Sequence, residues 1–584
     1  MAVLRVWAPR AGVVELETHD RLRGMARNDN GWWELNVPDV LHGADYAFRV
    51  DGEGPFPDPR SPWQPEGVHG SSRWLEHSRF AWTDAAWRPP PLGLAFIYEL
   101  HVGTFTPEGT FASAVDRLDH LLDLGITHVE LMPVAEFSGD RGWGYDGVDL
   151  FAPHHAYGGP EGLKQLVDAC HRRGLAVLLD VVYNHLGPAG NYLDRFGPYF
   201  SKRYVTPWGE AINLDGPESD EVRRFFIDNA LMWLRDYHID GLRIDAVHAI
   251  VDTSAIHFLE QLATEVRLLG TNLDRRLVLV AESDLNDPRV VRRPGLGGYG
   301  IDAQWNEDFH HALHAVLTGE RSGYYADFGK LADLAKVLTE GFAYDGRYSR
   351  YRRRSHGRPA TGLSGLSFVG CLQNHDQVGN RALGERTAHL LSLDQLKIGA
   401  ALVMTAPFIP MLFQGEEWGA STPFLYFTDH REPELGEAVR RGRREEFAAF
   451  GWDPVQIPDP QAEDTFLRSK LRWDEMERDP HAGILKWHRS LIRLRREWAA
   501  LGDGRLQGTS VRFDEVARWL TMRHGSVQII CNLADAPQHV PCLGPAPKEL
   551  VLSSKEEILA KDEAIMLPGQ TVVILGAGGA AVAL

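Results

Sequence analysis

From Leu94 to about residue 505 the chain alternates between short apolar runs and amphipathic stretches, and this alternation constrains the fold more than any other feature. The apolar runs are Ala95–Leu100, His128–Val134, Ala176–Val182, Gly241–Val247, Leu277–Glu282, Ala303–Trp305, Phe368–Gln373 and Pro410–Phe413. Between them, Phe111–Leu124, Gly162–Arg173, Glu221–Tyr237 and Ser254–Leu269 place apolar residues at helical spacing. Gly125, Gly174 and Gly270 stand where helix C-caps belong. Strands apolar on both faces, each followed by a helix, imply a parallel sheet covered by helices. Eight such units imply a sheet closed on itself, a (β/α)8 barrel of the α/β class. The segment is longer than a usual barrel, so loops must carry insertions. The largest are expected at about 186–218 and 306–366.

The flanks read as β-structure. Leu4-Arg5-Val6-Trp7, Val13-Val14-Glu15-Leu16, Trp32-Trp33-Glu34-Leu35 and Tyr46–Val50 are strand-like runs separated by Gly and Asp turns. Pro89-Pro90-Pro91 then forms a stiff linker. After about Gly508, Ser510–Phe513, Trp519–Met522, Val527–Cys531 and Thr571–Leu575 are again strand candidates. The expected organisation is an N-terminal β-sandwich (1–91), a catalytic barrel (92–507) and a C-terminal β-sandwich (508–584).

Composition narrows the function. The net charge of −19 opposes a nucleic-acid footprint, which needs clustered positive charge. The basic run from Arg347 to Arg358 reads first as a solvated loop, although Tyr348 and Tyr351 within it leave a cleft wall open. Cys170, Cys371, Cys531 and Cys542 lack CxxC spacing and indicate neither a zinc site nor a disulfide framework. No signal-peptide run and no membrane-length apolar stretch is present, so a reduced cytoplasm is the expected location. His310 and His314 lie four apart on a helical run, but without HExxH spacing they read, with His311, as packing or hydrogen-bonding residues. No calcium-type acidic cluster stands out. The expectation is therefore no metal and no cofactor. Gly576–Ala581 matches GxGxxA, but without room for a βαβ unit the match is rejected. Oligomeric state has no signal.

A barrel of this kind carries its chemistry at the C-terminal ends of its strands. The third strand ends in Asp180-Val181-Val182-Tyr183-Asn184-His185, and the fourth in Arg243-Ile244-Asp245-Ala246-Val247-His248. The fifth ends in Ala281-Glu282-Ser283-Asp284 and the seventh in Asn374-His375-Asp376. A lone carboxylate at such a position is usually a cap or half of an ion pair. Three converging on one rim need chemistry or a metal to justify their burial. Splitting an acetal requires one carboxylate to attack and one protonated carboxyl to donate to the leaving oxygen. Asp245 suits the first role, with Arg243 on the same strand face holding it ionised. The longer Glu282 suits the second. Asp376 would grip sugar hydroxyls and help keep Glu282 protonated. Among rim aromatics (Trp143, Trp208, Trp305, Trp418, Phe424 and Tyr426), Trp305 is the first choice for a sugar-stacking ring.

DVVYNH, GLRIDAVH, AES and NHD, in this order, resemble the four sequence regions of the alpha-amylase superfamily, glycoside hydrolase family thirteen. The resemblance covers about 92–505, and the flanking β-domains suit it. It implies that Asp245 is the nucleophile, Glu282 the acid/base and Asp376 the transition-state stabiliser. His185, Arg243 and His375 would bind the sugar at the cleavage site, Tyr145 would stack beneath it, and Asp180 would be structural. His248 and Asp284 join Trp305 as further candidate sugar contacts. The stretches AESDLNDP (281–288), QWNEDFHH (304–311) and Tyr426-Phe427-Thr428-Asp429-His430 resemble the malto-oligosyltrehalose trehalohydrolase branch. That branch implies hydrolysis of malto-oligosyltrehalose or related α-glucans, releasing trehalose. A branching enzyme, which usually has a second Glu where Ser283 stands, is the first rival. An inactive glucan-binding module is the second.

Overall fold

The computed structural model describes residues 2–19, 21–38, 41–449, 456–544, 549–556, 558–561 and 564–576. Eight parallel strands close into a barrel: β1 (Ile97–Leu100), β2 (His128–Leu131), β3 (Ala176–Val181), β4 (Gly241–Ile244), β5 (Val278–Ala281), β6 (Ala303–Trp305), β7 (Phe368–Gly370) and β8 (Ile409–Phe413). The ring closes where Met411, Leu412 and Phe413 of β8 pair with Ile97, Tyr98 and Glu99 of β1. Every sequence-expected strand is present. Alternation along each strand sends one set of side chains inward. Ile97, Leu178, Val278, Val280, Ala303, Val369, Ile409 and Met411 pack there as a core of their own.

Helices α1 (Leu118–Leu124), α2 (Gly159–Arg172), α3 (Ser219–Asp236), α4 (Phe258–Leu273), α5 (Glu307–Thr318), α6 (Leu331–Glu340), α7 (Leu393–Thr405) and α8 (His481–Glu497) bury apolar faces. Two expectations about the helices change in detail. The Phe111–Leu124 stretch divides at Asp116-Arg117, with a separate short helix at Phe111–Val115. Gly270 is not a cap: α4 runs through it to Leu273, and Asp274, at φ 50°, takes the left-handed cap. A Cβ on Gly270 would lie 2.8 Å from the Arg275 carbonyl oxygen, so glycine serves close approach there. Gly125 does cap α1, at φ 101°.

The β5–β6 connection holds only a 3-10 turn, Pro294–Leu296, whereas β6 is followed by both α5 and α6. The segment 306–366 is therefore not wholly inserted, because it begins with α5. Its added part ends in a hairpin, Asp345–Ser349 with Arg354–Gly357. Segment 186–218 carries a second hairpin, Phe200–Thr206 with Gly209–Ile212. On α5, His310 bonds Tyr325 Oη at 2.9 Å and His314 bonds Glu320 at 2.7 Å, the hydrogen-bonding role expected of them.

Antiparallel sheets flank the barrel. Ala2–Trp7 pairs with Trp32–Val37, and Val14–Thr18 with Asp45–Val50. C-terminally, Thr509–Asp514, Trp519–His524, Val527–Asn532, Thr571–Gly576 and Glu549–Ser553 form one sheet. Trp519, Ile530 and Val573 of that sheet share a core with Val540, Ile565 and Leu567 of a second. The 576–581 run lies, beyond Gly576, outside the described residues. All four cysteines are buried and unpaired.

Candidate active site

The site is built around Arg243. Its side chain is fully buried inside the barrel, where an unpaired charge would be prohibitive. Three carboxylates meet it. Nη1 donates to Asp180 Oδ1 and Oδ2 at 2.8 and 2.7 Å and to Asp245 Oδ1 at 2.8 Å, and Nη2 lies 3.2 Å from Glu282 Oε2. Arg243 and Asp245 share one face because they alternate along β4 and its extension. The second oxygen of Asp245 accepts from Asn184 Nδ2 at 2.7 Å, and the same amide reaches the Asp245 carbonyl at 3.0 Å. Both oxygens of the Asp245 carboxylate are thereby oriented.

The chain turns immediately after Asp245. Ala246 sits at φ 38°, ψ 52°, a left-handed conformation costly for a residue with a Cβ. The turn aims the Ala246 N–H at Glu282 Oε2, 2.6 Å away. Burial pushes the Glu282 carboxyl well above the usual range; Arg243 pulls it down, and Asp245 and Asp376 push it up again. The balance favours the protonated form of Glu282, the form a general acid requires.

Asp376 is in the first turn of a short helix, His375–Gly379, which Asn374 caps by accepting from Gln377 N at 2.9 Å. Next to it, His375 is buried. Burial would lower its pKa, but Asp376 and Glu99 outweigh burial and push it up to about 9. Its Nδ1 faces Glu99, its backbone N–H donates to Glu99 Oε2 at 3.0 Å, and its Nε2 lies 2.8 Å from Tyr145 Oη and 3.5 Å from Asp376. Tyr145 also donates to Asp180 at 2.6 Å. Its ring stacks on His375 at 5.2 Å.

Asp245, Glu282 and Asp376 open together into a cavity of about 440 Å³, whose walls include Trp143, Tyr145, His185, Trp208, His248 and Tyr426. The candidates Tyr145, His185 and His248 thus face one space, and Arg243 and His375 stand directly behind it. Asp284 stands apart, ion-paired with Arg352 of the 345–357 hairpin at 2.9 Å. That pairing brings one residue of the basic run to the fifth-strand loop. Trp305 is a correction. It is 2% exposed, with the Arg243 guanidinium 4.2 Å above its ring. Its strand register points it into the barrel, beneath Arg243 rather than toward a ligand. Trp418 and Phe424, also expected on the rim, are core residues. The exposed ring is Trp208, from the 200–212 hairpin, which stacks on His185 at 4.8 Å.

Sequence reading did not single out Asn184, Glu99 or Asn380 as site residues. Asn184 stood within DVVYNH, and Glu99 was an acid in an otherwise apolar strand; either could have been flagged. Asn380, which donates to Asp376 at 3.2 Å, gave no such signal.

Among the described residues, Glu136, His154 and His155 are close enough to share a metal ion. Their hydrogen bonding argues against it. His154 Nδ1 accepts the Ala156 N–H at 3.1 Å, which places its proton on Nε2, the atom facing Glu136.

The alpha-amylase catalytic-domain model matches residues 77–203, and residues 504–574 match a family described only as a domain of unknown function. A malto-oligosyltrehalose trehalohydrolase of Arthrobacter ramosus is 53% identical, over 92% of this chain and 93% of its own. That of Mycobacterium tuberculosis is 50% identical over 99% of each. The chain belongs to the malto-oligosyltrehalose trehalohydrolase family. A solved structure described as a putative alpha amylase from Salmonella typhimurium is similar to this family member with a TM-score of 0.91 and 38% identity, over 99% of this chain and 97% of its own. By contrast, a 1,4-alpha-glucan branching enzyme of Pseudoalteromonas atlantica is 32% identical over 50% of this chain and 46% of its own.

Proposed function

We propose that the chain hydrolyses the α-1,4 bond next to the terminal α,α-1,1-linked glucose pair of malto-oligosyltrehalose, releasing trehalose and a malto-oligosaccharide with retention of configuration. The observation that carries the proposal is the meeting of Asp245, Glu282 and Asp376 in one cavity, with Asp245 ion-paired to Arg243 and Glu282 biased toward its protonated form. These are the two opposite charge states a retaining glycosidase needs. Asp245, steadied by Arg243 and Asn184, attacks the anomeric carbon as the glycosidic bond breaks. Glu282 gives its proton to the departing oxygen, so trehalose leaves neutral. Glu282, now a carboxylate, takes a proton from water as that water displaces Asp245, and both groups return to their starting states. Asp376 and His375 bind hydroxyls of the sugar being cleaved, and Tyr145 lies under its ring. His185 and Trp208 form one wall, His248 lines the same cavity, and Asp284, held by Arg352, is assigned to the side of the leaving unit. No step calls for a cofactor. We place the enzyme in the cytoplasm. No helix among the described residues is long and apolar enough to cross a membrane.

Ser283 favours hydrolysis over the branching reaction: it is 1% exposed and sits where a branching enzyme usually carries a second Glu. The test is product analysis of the purified protein on malto-oligosyltrehalose and, separately, on amylose. Free trehalose from the first and little change in the second is the expected result. New α-1,6 branches in the amylose would replace this reading with the branching enzyme, and turnover of neither would leave a binding module.

A further inference from the structure

A fourth carboxyl group lies beside the catalytic three and has no part in the steps above. Glu307 opens α5, directly after β6, and its side chain is 16% exposed. Its Oε2 accepts from Gln377 Nε2 at 2.9 Å. Gln377 follows Asp376 on the short helix His375–Gly379. The other end of the Gln377 amide is also held, by Tyr325 Oη at 3.4 Å and Tyr324 Oη at 3.5 Å. Both tyrosines come from the segment between α5 and α6. The Gln377 side chain is therefore clamped from two directions by elements outside its own loop.

We propose that Glu307 is a positioning residue: by accepting the Gln377 amide hydrogen bond it fixes the short helix that carries Asp376. A five-residue helix has little cooperativity of its own, and its orientation depends on such external ties. Asp376 must bind sugar hydroxyls in one geometry, and a small rotation of its helix would misplace it. The inference rests on the reading of Asp376 as a group that binds the sugar during cleavage.

The charge around Glu307 adds a second consequence. Burial pushes its carboxyl up to about 7; Asp376, Asp284 and Asp308 push the same way, and Arg243 opposes them. Cys371 of the seventh-strand loop, Tyr324 and, at 3.7 Å, His311 of the same helix also face it. Below about pH 7 the carboxyl is neutral. Above it a carboxylate forms beside Asp376 and adds to the negative field that raises the pKa of Glu282. Glu307 thus extends the working range of the general acid to higher pH.

The experiment measures kcat and KM across pH for wild type, Glu307→Ala, Glu307→Gln, Gln377→Ala and the double variant Glu307→Ala with Gln377→Ala on malto-oligosyltrehalose. Glu307→Ala and Gln377→Ala should each lower kcat about tenfold while KM changes less than about twofold. The double variant should be no worse than either single one, because both break the same tie. Glu307→Gln keeps an acceptor for Gln377 and should recover most of kcat, but its alkaline limb should move to lower pH. Wild-type kcat in Glu307→Ala, or an unmoved alkaline limb in Glu307→Gln, would overturn the proposal. If the wild-type chain releases no trehalose, the same series on whichever α-1,4-glucan it cleaves still tests Glu307. Failure of the substrate reading and failure of the positioning role are thereby distinguished.

Discussion

At the residue scale the site is an exercise in placing charge where it costs least. Arg243 is affordable inside the barrel because Asp180 and Asp245 pair with it, and neither would be stable there as a carboxylate without it. Asn184 adds direction to this balance without adding charge. Asn184→Ala frees one oxygen of Asp245, and kcat is expected to fall by on the order of ten- to a hundredfold with a small change in thermal midpoint. Steady-state kinetics beside a melting curve checks this; an unchanged kcat would remove Asn184 from the site. Asn184 was visible in the sequence as part of a motif, but its aim at Asp245 was not, because the two lie 61 positions apart in the chain. Trp305 teaches the converse. Its chemistry suited a sugar, yet Arg243 occupies the face of its ring.

At the element scale, the strands are simple and their ends carry the function. A left-handed residue with a Cβ costs about 1–2 kcal/mol relative to its ordinary conformation. Ala246 accepts that cost one residue after Asp245, and the turn delivers its N–H to Glu282. Helix α4 illustrates how an end is mistaken. A glycine near the close of an amphipathic stretch signals a cap, but Gly270 lies inside the helix because the returning chain at Arg275 packs against it. Gly270→Ala places a Cβ against backbone that has little freedom to retreat. The expected cost is about 1–3 kcal/mol, seen as a lower urea midpoint. A variant as stable as wild type would show that the 275–277 turn can yield.

At the scale of the whole molecule, the segment before the barrel is pinned to the barrel wall by a buried charge cluster. His171 of α2 lies between Asp84, at 2.7 Å, and Asp240, at 2.9 Å, while Trp87 donates to Asp240 at 2.9 Å and stacks on the imidazole. Burial lowers the pKa of His171, but Asp240 and Asp84 together raise it above its ordinary value. A raised folded-state pKa means that the stabilisation is complete below the unfolded value of about 6.5 and is lost as pH rises through the folded value. His171→Ala leaves Asp84 with His238 and Asp240 with Arg275 but removes the cation they share, and should cost about 3 kcal/mol near pH 6, and less on the alkaline side. Melting curves of both proteins at pH 6 and pH 9 test this; an equal difference at the two would mean that His171 is not charged in the fold.

The sequence by itself determined the barrel, because strand alternation and helical spacing are local periodicities that each segment carries whether or not its neighbours are known. It also determined which carboxylates stand near strand ends, since Asp245 and Glu282 directly follow β4 and β5, and Asp376 lies in the loop after β7. Only the tertiary structure decided which side chains those carboxylates meet. Arg243 above Trp305, Asn184 on Asp245, Trp208 over His185 and Glu307 behind Asp376 are contacts between segments whose separation is set by barrel closure and insertion length. No local pattern encodes such distances. They arise when the eighth strand closes on the first and the loops are fixed relative to one another.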